Sequence, residues 1–152
     1  MIKADYINPF LVSTVNVFQQ MLAVELIREQ AFIRKDFASQ HEVTGLIGLS
    51  GKTTGTVAVS LPRDMALAVT EKLLGERPDE IDAQVVDAIG EMTNVIAGGA
   101  MAHLEHLQFS LGLPTVILGR LTRIAFPSKA TPIAIPFRSH LGPVVVEIGI
   151  VA

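Results

Sequence analysis

The chain has 152 residues, of which 49% are hydrophobic and 18% charged; this fits one folded domain, 1–152, and excludes a disordered protein. It contains no cysteine, which excludes a disulfide scaffold, a zinc ribbon and a cysteine nucleophile and fits a reducing compartment. A formal net charge of −3 gives no general attraction for nucleic acid, so we expect no nucleic-acid partner. No leader peptide or bilayer-spanning run is visible, so we expect a cytoplasmic protein that does not bind a membrane.

A helix and an extended segment are predicted at the start of the chain. Apolar residues at nearly helical spacing predict a helix over Pro9–Met21, with Asn8 as its cap and Pro9 in the first helical position. The segment Val24–Phe37 mixes β-branched and charged residues, which favours an extended conformation.

A hairpin and a short helix are predicted next. Val43–Ser50 and Thr54–Leu61 have the composition of strands and are separated by only three residues, so we expect them to pair. Pro62 opens a helix that carries apolar residues, and Gly75 ends it because glycine readily adopts the left-handed conformation.

A long helix and three strands complete the predicted elements. The helix runs from about Ile81 to Leu107, with Asp79 or Asp82 as its cap. Prolines inside the strands that follow it indicate edge strands, or prolines placed at strand starts and bulges, because proline lacks the N–H that a central ladder needs. A repeated order of helix and hairpin indicates a duplicated unit. The three strands are predicted over Pro114–Ile124, Thr131–Arg138 and Val144–Val151.

Two other signals in the sequence do not predict a site. The segment 48–53 resembles a phosphate-binding loop, but Leu46 stands where that loop needs glycine, and a strand follows instead of a helix. His103 and His106 are predicted one turn apart on the long helix, but no third ligand lies near them in sequence, so we expect no metal site.

The long helix has an apolar and a polar stripe on opposite sides when it is drawn at about 100° per residue. The apolar stripe must face the core, and the polar stripe then faces solvent over several turns. The apolar stripe consists of Val85, Ile89, Met92, Ile96 and Ala100. The polar stripe consists of Asp87, Glu91, Asn94, Gly98 and Glu105.

Three features distinguish the polar stripe from an ordinary solvated helix face. Asn94 is a weak helix former in the middle of a helix. The helix has no lysine or arginine, so Glu91 has no cation four residues further on. Gly98 and Gly99 each cost about 1 kcal/mol relative to alanine, which indicates close approach by another element or a partner. We expect Gly98 to face a partner and Gly99 to pack within the protein.

The motif Glu91-Met-Thr-Asn94 resembles the signature of the CheC/CheX/FliY family of chemotaxis phosphatases. Asp87 precedes the glutamate by four residues, Pro114-Thr115-Val116 lies downstream, and the chain has Asn8-Pro9-Phe10 near its start. The single intact copy of the motif on a long helix is most similar to the CheX branch.

The resemblance implies a fold and an activity. The fold is a mixed α/β (α+β) pseudo-duplicate, with long helices on one face of a mainly antiparallel sheet of about six strands. The activity is dephosphorylation of the phospho-aspartate of a CheY-like response regulator. Asn94 would orient the attacking water and Glu91 would pair with the regulator's active-site lysine, while Asp87 and Gly98 would contact the partner. The Mg²⁺ would belong to the regulator, so the chain would need no cofactor of its own.

The chain departs from the family pattern in two places. Some relatives have a second E-x-x-N copy in the first helix, where this chain has Ser13-Thr-Val-Asn16, so the resemblance implies one active site. The interval from Asn94 to Pro114 is shorter than in the family pattern, which indicates a shortened helix end or loop.

Two alternatives to the enzyme also use features of this sequence. A non-catalytic binding module would dock a receiver domain or another signalling partner through the same helix face. A purely structural oligomerisation domain would leave Asn94 and the two glycines unexplained. In each case the apolar excess and the terminal strands predict a homodimer that pairs at a sheet edge.

Overall fold

A computed structural model describes residues 4–33, 41–52, 54–119, 126 and 130–151. Within these residues, three helices and a 3₁₀ turn accompany eight strands. The helices are α1 (Ala4–Leu22), α2 (Arg63–Leu74) and α3 (Ala83–Met101), and the 3₁₀ turn is Glu105–Leu107. The strands are β1 (Ile27–Arg28), β2 (Phe32–Ile33), β3 (Val43–Gly51), β4 (Thr54–Leu61), β5 (Phe109–Leu111), β6 (Thr115–Leu118), β7 (Ile133–Ser139) and β8 (Gly142–Val151).

The strands form one antiparallel sheet in the order β1–β7–β8–β4–β3–β5, with β2 also beside β7 and β6 also beside β3. The hairpins β3–β4 and β7–β8 meet at the centre of the sheet, and two short strands flank each of them. This arrangement agrees with the predicted duplicated unit. Helices combined with an antiparallel sheet confirm the mixed α+β class. The six strands of the main path agree with the expected number of about six.

The helices pack on the sheet through a continuous hydrophobic core. All five residues predicted for the apolar stripe of α3 are fully buried. Each buried isoleucine or methionine side chain contributes roughly 1.5–3 kcal/mol, so this face strongly resists rotation of the helix. The stripe on the opposite side is therefore held towards solvent.

Small residues let α3 approach its neighbours closely. Gly45 of β3 lies beneath Thr93, and a Cβ atom at position 45 would overlap the Thr93 Oγ1. On α1, the Ser13 hydroxyl donates a hydrogen bond of 2.7 Å to the Ile96 carbonyl. A Cβ atom at Gly99 would lie 2.5 Å from the Ser13 Oγ, so that glycine makes room for the contact between α1 and α3.

Several predicted elements are confirmed. The hairpin pairs Val43 with Leu61 at one end and Leu49 with Gly55 at the other, and its turn residue Thr53 lies outside the described residues. Helix α2 ends at Gly75, whose φ of 87° is left-handed as expected. The predicted extended segment contains β1 and β2 up to residue 33, and its remainder lies outside the described residues.

The predicted start of the first helix is wrong. Helix α1 includes residues before Pro9, so Asn8 is inside the helix and not its cap. Pro9 has no N–H to donate to the carbonyl four residues earlier, which normally disfavours a helix interior. Burial of Ile7, Phe10 and Leu11 around the proline offsets that lost hydrogen bond.

The predicted end of the long helix is also wrong. Helix α3 ends at Met101, and Glu105 and His106 lie in the separate 3₁₀ turn. Leu104 and Leu107 are both buried, so the apolar spacing continues after the helix has ended. This continuing pattern is why the sequence predicted a longer helix. His103 and His106 therefore do not share a helix, and Glu105 is not part of the α3 stripe.

The strands of the second half differ in extent and in position from the prediction. Strand β5 was not predicted, β6 is shorter than Pro114–Ile124, and 120–125 lie outside the described residues. The proline-containing strands are not bare edges, since β8 is central and β7 is covered by β1 and β2. Pro143 is the second residue of β8, which agrees with the alternative of a proline at a strand start. The Pro136 carbonyl accepts from the Glu29 N–H at 2.8 Å, so the proline nitrogen faces the gap beside the short strands and not the ladder with β8.

A homodimer stays a prediction, and its pairing edge must be revised because β8 is central. The edge formed by β1 and β2 exposes Ile27, Phe32 and Ile33 by 42%, 42% and 60%. We expect a dimer at micromolar concentration and a shift to monomer in Ile33→Lys, because a charge on an edge opposes pairing. Light scattering measures both, and a wild-type mass near 16.3 kDa would contradict the dimer. A dimeric Ile33→Lys would contradict this edge.

Candidate functional site

The site lies along α3, whose start is fixed by a cap. The Asp82 carboxylate accepts hydrogen bonds from the backbone N–H groups of Gln84 and Val85 at 2.9 and 3.1 Å. Of the two caps that the sequence allowed, the structure therefore selects Asp82. A fixed start and a buried face together set the direction of every later side chain on the helix.

The predicted polar stripe is exposed over its helical part. Asp87, Glu91 and Gly98 are exposed, and Asn94 is half-buried. Glu91 and Asn94 are three residues apart and share one face of the helix. Among the described residues, no side-chain hydrogen bond or ion pair engages the Glu91 carboxylate or the Asn94 amide. Both groups are thus available to a molecule that approaches this face.

Glu91 lies between two grooves. One, of about 570 Å³, separates α3 from the end of α2. The other, of about 350 Å³, separates α3 from the start of β6. Asp87 and Glu91 line both grooves, so they form the ridge between them. The first groove is completed by Leu73, Leu74, Gln84 and Ala88, and the second by Val86, Gly90, Pro114 and Val116.

The downstream motif residues lie beside the helix motif, although Pro114 follows Asn94 by 20 positions in sequence. Pro114 and Val116 line the same groove as Glu91, and a Cβ atom at Gly90 would meet Val116 at 3.6 Å. The sequence did not predict the opposite wall, which Leu73 and Leu74 form. The one available signal was an apolar pair directly before the helix-ending Gly75.

The two adjacent glycines have different surroundings. A Cβ atom at Gly98 would meet nothing within 4 Å, so this position faces open space. Gly99 faces Ser13, as described above, and so packs against α1 and not against the sheet. Gly99 thus packs within the protein as expected, with α1 as its neighbour, while a partner at Gly98 stays a prediction.

The degenerate copy of the motif on α1 keeps the amide of Asn16 but has Ser13 in place of the glutamate. Ser13 is buried and uses its hydroxyl to bind the Ile96 carbonyl. Asn16 is exposed and lines a groove of about 270 Å³ between α1 and α3. An amide without a carboxylate at the matching position does not reproduce the pair on α3.

The described residues contain no group of three or more histidine, aspartate or glutamate side chains that could hold a metal ion. In the same part of the chain, none of the helices combines the length and the apolar character needed to span a bilayer. On the outer face of α3, the exposed Glu91 supplies a carboxylate and the half-buried Asn94 supplies an amide. Such a pair can act within a site that a partner completes.

Comparisons with known proteins identify relatives over most of the chain. The family model of the chemotaxis phosphatase CheX matches residues 43–138. The CheY-P phosphatase CheX of Thermotoga maritima is 27% identical over 124 residues, which cover 80% of each chain. A crystal structure of a CheC-like superfamily protein from Shewanella sp. PV-4 superposes with a TM-score of 0.90 and 35% identity, over 99% of this chain and 100% of that one.

A further solved structure is a complex of CheX with CheY, BeF3 and Mg²⁺ from Borrelia burgdorferi. Its matching chain has a TM-score of 0.82 and 26% identity, over 99% of this chain and 100% of that one. The family model covers more than half of the sequence and includes the whole α3 motif. The chain therefore belongs to the CheX family of chemotaxis phosphatases.

Proposed function

We propose that this protein dephosphorylates the phospho-aspartate of a CheY-like response regulator. The observation that carries the proposal is the pair of unengaged side chains, Glu91 and Asn94, on one exposed face of α3 in a CheX-family chain. The Thermotoga relative is named a CheY-P phosphatase, and the Borrelia structure contains CheX together with CheY. Both names support the same class of partner for this chain.

In this proposal Asn94 positions the attacking water. A carboxamide has an oxygen that accepts a hydrogen bond and a nitrogen that donates two, so it can hold a water and a phosphoryl oxygen together. The water oxygen attacks phosphorus, the bond from phosphorus to the aspartate oxygen breaks, and inorganic phosphate leaves. The amide orients the water without taking its proton, and such positioning supplies most of the catalysis in phosphoryl transfer.

Glu91 contributes docking in this proposal. Its carboxylate would pair with the lysine of the regulator's active site, while Asp87 and Gly98 would contact the surrounding surface. The Mg²⁺ would be held by the regulator, and the chain would supply no cofactor. A binding module without catalysis would use the same surface, so the two functions differ in turnover and not in location.

We expect Asn94→Ala to lower the rate of regulator dephosphorylation at saturation by about 10²-fold, since one positioned polar group is lost in the transition state. The affinity for the phosphorylated regulator should change little. Phosphate release over a concentration series of phosphorylated regulator measures both constants. If wild type and Asn94→Ala both leave the decay rate of the regulator unchanged, the binding module replaces the enzyme.

We expect Glu91→Ala to weaken both binding and turnover. Removing one member of a buried charge pair across an interface costs about 2–5 kcal/mol, largely because the other charge is left unpaired. Asp87→Ala, at the edge of the same stripe, is the matched control and should have the smaller effect. The same concentration series measures both variants, and equal effects of the two would contradict the specific role of Glu91.

Gly98→Leu and Gly99→Leu form a matched pair for the partner surface. Gly98→Leu should block regulator binding without lowering the melting temperature, because the position is open and leucine is the better helix former. Gly99→Leu should lower the melting temperature, because its side chain collides with Ser13. Melting curves and a binding titration test both, and a destabilised Gly98→Leu or an unchanged Gly99→Leu would contradict these assignments.

A further inference from the structure

The groove between α2 and α3 has an apolar wall that the Glu91–Asn94 pair does not use. Leu74 is 54% exposed at the end of α2, and Leu73 beside it is half-buried. The end of the helix is fixed because the Gly75 N–H donates to the Glu71 carbonyl at 2.7 Å. An exposed leucine is thus held in place next to the proposed site.

The segment around this groove is strongly acidic. Residues 71–91 contain seven carboxylates and two cations, which gives this segment a formal charge of −5. The whole chain has a net charge of only −3. All of these side chains except that of Asp82 are exposed. The carboxylates are Glu71, Glu76, Asp79, Glu80, Asp82, Asp87 and Glu91, and the cations are Lys72 and Arg77.

The apolar wall continues on the other side of the ridge. Pro114 and Val116 line the second groove, and Leu113 just before them is 89% exposed. Glu91 therefore has apolar residues on both sides, Leu73 and Leu74 in one groove and Pro114 and Val116 in the other. A domain that takes Glu91 into its own site would lie directly beside the groove at Leu74, because Glu91 is one of the residues that line that groove.

We propose that the groove between Leu74 and α3 is a specificity-determining surface for the regulator, in extension of the proposed function. Its occupant is an apolar side chain on the receiver domain, next to the phosphorylated aspartate and accompanied by lysine or arginine. The acidic surroundings select a basic partner, and they disfavour a second copy of this chain, which would bring the same negative charge. Leu74 acts on recognition, while the chemistry stays with Asn94.

The test compares Leu74→Ala with Leu74→Met and Val12→Ala. Val12→Ala is the control, because Val12 is also 54% exposed on a helix. Val12 lies away from Glu91: it lines a groove with Gly99, which follows Glu91 by eight residues, or about 12 Å along α3. The probe is a CheY-like receiver domain phosphorylated with phosphoramidate. The measurements are the KM and kcat of phosphate release at low and high salt, the affinity by titration, the mass in solution by light scattering, and the melting temperature.

We expect Leu74→Ala to raise KM about tenfold, the effect of losing a central apolar contact, with kcat reduced less than twofold. Leu74→Met should restore the wild-type KM because it conserves apolar volume. Val12→Ala should match wild type, no variant should lose thermal stability, and the wild-type KM should rise with salt.

A KM for Leu74→Ala equal to that of Val12→Ala would overturn the inference, and so would a loss of self-association in Leu74→Ala, which would assign the groove to a second copy. If the wild type does not accelerate phosphate loss at all, the proposed function fails. The titration then decides the groove by itself: weaker receiver binding by Leu74→Ala supports the docking surface, and unchanged or absent binding overturns it.

Discussion

The close approach of α3 to strand β3 and helix α1 fixes where the polar face of the helix lies. Gly45 gives the strand side no side chain, so Thr93 rests directly on the sheet, and its hydroxyl is satisfied by the Ile89 carbonyl at 2.7 Å. On the other flank, Ser13 fits against Gly99 and binds the Ile96 carbonyl. Asn94 lies between these two contacts in sequence. The helix is thus supported on two sides around Asn94, and the water-orienting role proposed for that amide would require such a fixed backbone.

Burial gives the same helix its rotational setting. Five fully buried side chains recur along α3, and turning the helix would expose them at a cost of several kcal/mol. Glu91 is on the opposite side and is exposed, while Asn94 is half-buried closer to the body of the protein. In the proposed function, the exposed carboxylate would reach a partner and the half-buried amide would act closer to the helix.

Local chemistry made some of this structure predictable, and tertiary packing made other parts unpredictable. Gly75 ends α2 because its left-handed backbone lets its N–H bond a carbonyl of the last turn, and Asp82 begins α3 because its carboxylate accepts from free N–H groups of the first turn. Both residue types are visible in the sequence, so both helix ends could be predicted. The end of α3 was missed because Leu104 is buried by a change of chain direction and still continues the apolar spacing. The groove at Leu74 was missed for another reason: it exists only because α2 and α3 lie side by side.

The packing of α1 against α3 leaves little room for a glutamate at the first position of the α1 copy of the motif. Its first position, Ser13, is buried and tied to the Ile96 carbonyl, and the facing Gly99 leaves space for only a small side chain. A glutamate there would have to bury its charge or push α1 away from α3, and either outcome is costly. The position that would complete a pair with Asn16 therefore helps to support the helix that carries Glu91 and Asn94. The α1 copy of the motif thus contributes to packing between the helices, while the exposed copy on α3 remains accessible to a partner.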